Sequence, residues 1–171
     1  LRVKDTVTGS KRMVQGDALI IATGGNSYQS TGSTGDGYRL AKECGHTVTE
    51  LKPALVPLET GETYIPKLQG LSLRNVALRV KGKKKPVYEG FGEMMFTHFG
   101  ITGPLVLSAS SYIGKSGLPW PMEAEIDLKP ALTETQLDER LLREFQAAQN
   151  KQFKNVVPEL FPSRLVPVMI E

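Results

Sequence analysis

Asp17-Ala18-Leu19-Ile20-Ile21-Ala22-Thr23-Gly24-Gly25, continuing as NSYQSTGSTGDGY from Asn26 to Tyr38, decides how this chain is read. Ala18 to Ala22 is an apolar run without alternation, the pattern of a strand covered on both faces in a parallel sheet. It predicts a central strand. Thr23, Gly24 and Gly25 follow at once, where open α/β sheets bind ligands and where glycine lets backbone approach them. A second cluster, Thr31-Gly32-Ser33-Thr34-Gly35-Asp36-Gly37, runs into a helical pattern from Tyr38 to Cys44, with Tyr38, Leu40, Ala41 and Cys44 on one face. Two plainer readings stand beside this one. Asp36 is also a good N-cap for that helix, with Gly45 as its stop, and glycine after a strand is ordinary turn chemistry. The loop matches neither GxGxxG nor GxxxxGK[ST], so no dinucleotide fingerprint or P-loop is present here.

Outward from this stretch, Arg2 to Val7 and Lys11 to Val14 flank Thr8-Gly9-Ser10 as a hairpin, with the alternation starting at Leu1. Thr47 to Leu51 reads as a short strand, and Pro53 and Pro57 punctuate an extended segment, an edge or a crossover, ending at Leu58. From Glu59 the texture changes. Asn75 to Lys81 and Val87 to Phe96 alternate on either side of a Gly82–Pro86 turn, and Gly90 and Gly92 suggest a bend or bulge of the kind barrels need. Thr102 can cap a helix opened by Gly103-Pro104, Met122 to Leu128 alternates as a further strand, and Thr133 with Gln136 resembles a capping box. That last helix carries Leu137, Leu141, Leu142, Phe145 and Ala148 on one face; two shorter helical pieces follow, Val156 to Leu160 and Ser163 to Ile170.

Ala22-Thr23-Gly24-Gly25, Thr31 to Tyr38, Gly45-His46, Ala54 to Leu58 and the later Gly92-Glu93-Met94-Met95-Phe96-Thr97-His98-Phe99-Gly100-Ile101-Thr102-Gly103-Pro104 together resemble the BaiN-like NAD(P)/FAD-dependent oxidoreductases, which include aminoacetone-oxidase-like flavoproteins. The resemblance implies a mixed α/β and α+β architecture. Residues 1–58 would be part of an FAD-binding, Rossmann-like sheet, and residues 59–171 an inserted β-barrel-like domain with helices. It implies FAD as cofactor, with Thr23, Gly24, Gly25, Thr34, Gly35, Asp36, Gly37, Thr97 and Gly100 near it. His98 becomes the candidate catalytic residue, hydrogen-bonded to flavin or accepting a substrate proton. Read on its own, His98 is as readily a corner histidine tied to backbone. Family members are about twice this length and begin with a strand, GxGxxG and helix. The chain is therefore expected to be a fragment, with parts missing at both ends, that holds FAD poorly by itself and is inactive without them. The expected substrate is a small molecule, with NAD(P)H or oxygen as redox partner.

A net charge of +3 is mild, and part of it sits in one run, Lys81 to Lys85. A non-catalytic barrel module touching nucleic acid or protein through that run is the rival reading. A solvated hairpin tip accounts for it as well, and no aromatic residue interleaves with the lysines in the sequence, so neither nucleic acid nor membrane is expected as a partner. One cysteine excludes an intrachain disulfide, and two widely separated histidines provide no metal motif. With no membrane-length apolar run, the expected location is cytoplasmic.

Overall fold

The computed structural model describes residues 2–170; Leu1, where the first alternation begins, and Glu171 lie outside them. Two compact units divide between Leu51 and Lys52.

In the first unit β1 (Arg2–Lys4) pairs antiparallel with β2 (Lys11–Met13), Arg2 opposite Met13. The Asp5 carboxylate closes the turn by accepting from the amides of Val7 at 2.8 Å and Thr8 at 2.7 Å. The helix predicted after the glycine cluster is α1 (Asp36–Glu43), ended by Cys44 and Gly45. Two expected strands are absent. Ala18–Ala22 has no ladder partner and lies open, with Leu19 57% and Ile20 88% exposed, and Thr47–Leu51 is likewise irregular. The composition of a doubly covered strand does not make one: a ladder needs neighbouring strands, and among the described residues none pairs with this run. No described residue of the first unit is buried.

The second unit holds the core. Its sheet curls as a half-barrel in the order β3 (Leu58–Glu59), β6 (Gly100–Thr102), β5 (Tyr88–Phe96), β4 (Ser72–Val80), β7 (Ala124–Asp127), all antiparallel. Leu73, Val76, Leu78 and Val80 of β4 and Met94 and Phe96 of β5 point into the core, where α2 (Pro104–Ser116) adds Leu105, Val106, Ala109 and Ile113. The irregularity expected at Gly90 and Gly92 sits on the other strand. Leu73 pairs with Met94 and Val76 with Gly92, so Arg74 and Asn75 together oppose Glu93, and Asn75 takes φ 55°. That extra residue keeps Leu73 on the same face as Val76, Leu78 and Val80.

Thr102 ends β6 and does not cap α2. Gly103 is the N-cap, with Pro104 at the first turn. Inside α2, Ser110 is the buried polar residue: its hydroxyl donates to the Leu107 carbonyl at 2.7 Å and accepts from the Val56 amide at 3.0 Å, tying residues 52–57 to this unit. Then come α3 (Glu134–Ala147), α4 (Val157–Leu160) and α5 (Val166–Ile170), the first opened by the expected Thr133–Gln136 capping box. No residue of α3 is buried; Phe145 meets Phe153 at a centroid distance of 6.2 Å. Among the described residues no helix is long and apolar enough to cross a membrane.

Gly100 marks where the chain has least room. A Cβ there would collide with the Leu58 carbonyl oxygen and stand 2.9 Å from Glu59 Cα, across the β3–β6 pairing. Gly100→Ala is expected to destabilise the protein by about 3 kcal/mol or more, because backbone must move to admit the methyl. Gly61→Ala, with nothing within 4 Å of the added atom, is expected within about 0.5 kcal/mol of the parent. Urea unfolding midpoints measure both; coincident midpoints for the two variants would refute the steric reading.

Candidate functional site

The glycine-rich residues of the first unit do come together. Gly25 carbonyl oxygen accepts from the Gly35 amide at 3.1 Å, joining the Thr23–Asn26 turn to the segment entering α1. Side-chain room at this seam is nil. A Cβ on Gly24 would lie 2.7 Å from Ser33 Oγ, and the residue also takes φ +75°, which L side chains rarely adopt. One on Gly37 would strike Thr23 Oγ1, and one on Gly35 would meet Asn26 Oδ1 at 3.2 Å. Thr23, Gly24, Gly25, Thr34, Gly35, Asp36 and Gly37 thus form one local constellation, with Tyr38 Oη 3.4 Å from the Cβ position of Gly25.

What this constellation offers a ligand is backbone. Among the described residues, the amides of Gly24, Gly25, Asn26 and Ser27 make no hydrogen bond within the chain, and Thr23, Gly24, Asn26 and Ser27 are exposed. Unpaired amides on an open glycine turn are donors available to a polar or anionic group. Asp36 is not the N-cap. Gly35, at φ 82°, occupies that position, and Asp36 is the first helical residue. Its carboxylate accepts from Thr34 Oγ1 at 2.9 Å and from Arg39 Nη2 at 3.2 Å, while Arg39 also reaches Glu43 at 2.6 Å. The Thr34 hydroxyl first, then the Arg39 guanidinium, hold the Asp36 carboxyl below its ordinary value. Asp36 is therefore an ionised acceptor with lone pairs to spare, suited to a sugar or ribityl hydroxyl.

Thr97, His98 and Gly100 share the turn between β5 and β6 in the second unit. Thr97 amide donates to Gly100 oxygen at 2.8 Å, and Thr97 Oγ1 accepts from the Gly100 amide at 3.0 Å. Thr97 therefore builds the turn and Gly100 admits β3 beside it. His98 is exposed at the tip and stands edge-on to Phe99, ring centroids 5.0 Å apart. His46 and Cys44 are exposed at the end of α1, and no group of three His, Cys, Asp or Glu is placed to hold a metal ion among the described residues.

Two concavities of the second unit, among the described residues, escaped sequence reasoning. One, about 750 Å³, is walled by apolar side chains including Leu73, Phe96, Ile101, Trp120, Met122 and Val168. Its polar side chains include Glu59, Glu62, Tyr64 and Glu123 and the buried, unpaired hydroxyl of Thr60. The other, about 250 Å³, lies at the base of the lysine tip and is lined by Lys85, Pro86, Val87, Tyr88, Glu89 and Tyr112. Its aromatic wall combines β5 with α2, elements that sequence order keeps apart.

The Asp36 arrangement has a pH signature. Because the folded-state pKa is depressed, its contribution to α1 is complete above the ordinary 3.8 and lost as pH falls through the lowered value. Carboxyl-carbon NMR of Asp36 should titrate below 3.8, and Thr34→Val should move the midpoint upward. A wild-type midpoint at or above the ordinary value would refute the hydrogen-bonded carboxylate.

Comparison with known proteins now bears on these features. Residues 52–171 match the family described as the HI0933-like protein barrel and H2TH domain. The chain is 34% identical over 157 residues to a ribosomal RNA dihydrouridine synthase of Haemophilus influenzae, covering 90% of this chain and 35% of that protein. It is 29% identical over 156 residues to a 3-dehydro-bile acid delta(4,6)-reductase of Clostridium scindens, covering 91% and 38%. Against a ribosomal RNA dihydrouridine synthase of Escherichia coli it is 29% identical over 150 residues, covering 88% and 35%. The chain thus spans a little over a third of the length of these curated relatives. With a half-barrel sheet and helices in the matched region, the chain belongs to the HI0933-like family.

Proposed function

We propose that the intact protein is an FAD-dependent reductase that saturates a carbon–carbon double bond conjugated to a carbonyl. Its relatives share that reacting group though their substrates differ. Dihydrouridine is uridine with the ring double bond beside its carbonyl saturated, and the delta(4,6) bonds of a 3-dehydro bile acid extend from its ketone. Such a bond takes a hydride at the carbon remote from the carbonyl and a proton at the adjacent one, with NADH or NADPH as the source of the electron pair.

The observation that carries the reading is the open turn at Gly24–Ser27, whose amides have no partner among the described residues, joined through Gly25 to the α1 entry. Bound flavin, once reduced by NADH or NADPH, would supply the hydride. The amides at 24–27 are suited to its polar edge, and the spare lone pairs of Asp36 to a ribityl or ribose hydroxyl; Arg39 offsets the carboxylate charge. A side chain at position 24 would close the seam that brings these groups together. His98, exposed at the β5–β6 tip, is proposed to hand the proton to substrate. A cytoplasmic location fits this chemistry, since reduced nicotinamide is available there. The 171-residue chain alone is proposed to hold FAD weakly, as it contains no GxGxxG turn for the pyrophosphate.

The full-length protein should purify yellow, bleach anaerobically with NADH or NADPH, and recover its colour on adding a conjugated enone but not the saturated ketone. A colourless protein, or one reoxidised by oxygen and by no enone, would overturn the assignment. Gly24→Ala should lower flavin occupancy by about tenfold or more, through backbone strain of roughly 1–3 kcal/mol, read from absorbance per mole of protein. Tight flavin retention by the 171-residue chain would refute the proposed weakness.

A further inference from the structure

We propose that the tip between β4 and β5, with the Tyr88–Tyr112 pair at its base, is a contact surface for single-stranded RNA. This deepens the reductase reading by choosing between its two substrate types.

The five lysine-run positions are not equivalent. Lys81 is neutralised, its ammonium 2.7 Å from Glu123 and 2.8 Å from Glu125. Lys83, Lys84 and Lys85 are exposed and have no carboxylate partner among the described residues. Three consecutive uncompensated cations on a short turn make a compact positive spot, matched to closely spaced phosphates.

Aromatic rings lie immediately beside it. Tyr88 of β5 and Tyr112 of α2 have ring centroids 5.4 Å apart with planes inclined at 49°, and Tyr112 is 58% exposed. Glycine at position 90 accommodates the Tyr88 ring, since a Cβ there would strike its hydroxyl. Lys85 and Tyr112 line the same 250 Å³ hollow. The nearby carboxylate of Glu89 is engaged by Arg79 at 3.0 Å, so it sets little unbalanced negative charge against a phosphate.

A base laid on an exposed tyrosine while lysines hold the flanking phosphates is how single strands are bound without sequence readout. A duplex keeps its bases stacked and presents no free face to Tyr112. The surface therefore fits an unpaired stretch of RNA, and that is where a uridine ring is accessible for reduction.

The test is fluorescence anisotropy of a labelled, uridine-rich single-stranded RNA oligonucleotide with the full-length protein across a salt series. The same sequence as a blunt duplex provides the comparison. The single strand should bind about tenfold tighter or more. Replacing Lys83, Lys84 and Lys85 by Gln should weaken binding at low salt by about tenfold or more, and reduce the log–log salt slope by about 2. Tyr112→Ala should weaken binding several-fold, whereas Tyr112→Phe should retain it. Circular dichroism and flavin content, unchanged in every variant, exclude misfolding as the cause. Equal affinity for duplex and single strand, an unaltered slope in the triple variant, or a silent Tyr112→Ala would each overturn the proposal. Since these readouts are binding, enone-dependent recolouring of the same preparations shows whether the reductase reading survives its loss.

Discussion

The antiparallel ladder between Ser72–Val80 and Tyr88–Phe96 is the constraint on which the second unit depends. It sets which side chains of both strands face α2, positions β6 through the Thr97–Gly100 turn, and sends the lysine tip out at its far end. A one-residue slip would reverse every side chain and turn Leu78, Val76 and Met94 out of the core. The two residues opposing Glu93 prevent that: Leu73 and Val76 are an odd number of positions apart, and only an inserted residue lets both point inward. Asn75 can occupy the left-handed region this requires more readily than most side chains.

How much was legible in the sequence follows from how local each signal was. The hairpin alternation, the Thr133–Gln136 capping box and the short α4 and α5 pieces depend on neighbours a few residues away, and they stand. The break in alternation at Arg74-Asn75 was present in the sequence, yet the glycines at 90 and 92 drew attention to the wrong strand. Ala18–Ala22 shows the opposite difficulty. Its composition records the environment it suits, but a parallel strand is defined by partners distant in the chain, and the described residues contain none.

The site divides along the same line. Convergence of Thr23–Gly25 on Gly35–Gly37 was readable because glycines recur where two backbone segments must approach. The role of Asp36 was not, since capping and hydrogen bonding to Thr34 and Arg39 differ by one residue of helix register. Tyr112 was invisible beside the lysines because its nearness arises from α2 packing on β5, after the turn at Thr97 has reversed the chain.

The two units also differ in what keeps them ordered, and this bears on cofactor chemistry. The second buries a continuous apolar cluster, a term of roughly 25 cal/mol for each Å² removed from water. The first buries no described residue and relies on exposed hydrogen bonds and on the Arg39 ion pairs, which water and salt screen. Its glycine seam therefore has little local free energy to fix it. Anything that covers Ile20 or engages the unpaired amides at 24–27 binds the ordered form selectively and stabilises it by mass action. Ordering of the turn and occupancy of the turn are then one equilibrium. Under the proposed function, that coupling would let a ligand site be assembled on residues that, taken by themselves, lack a core.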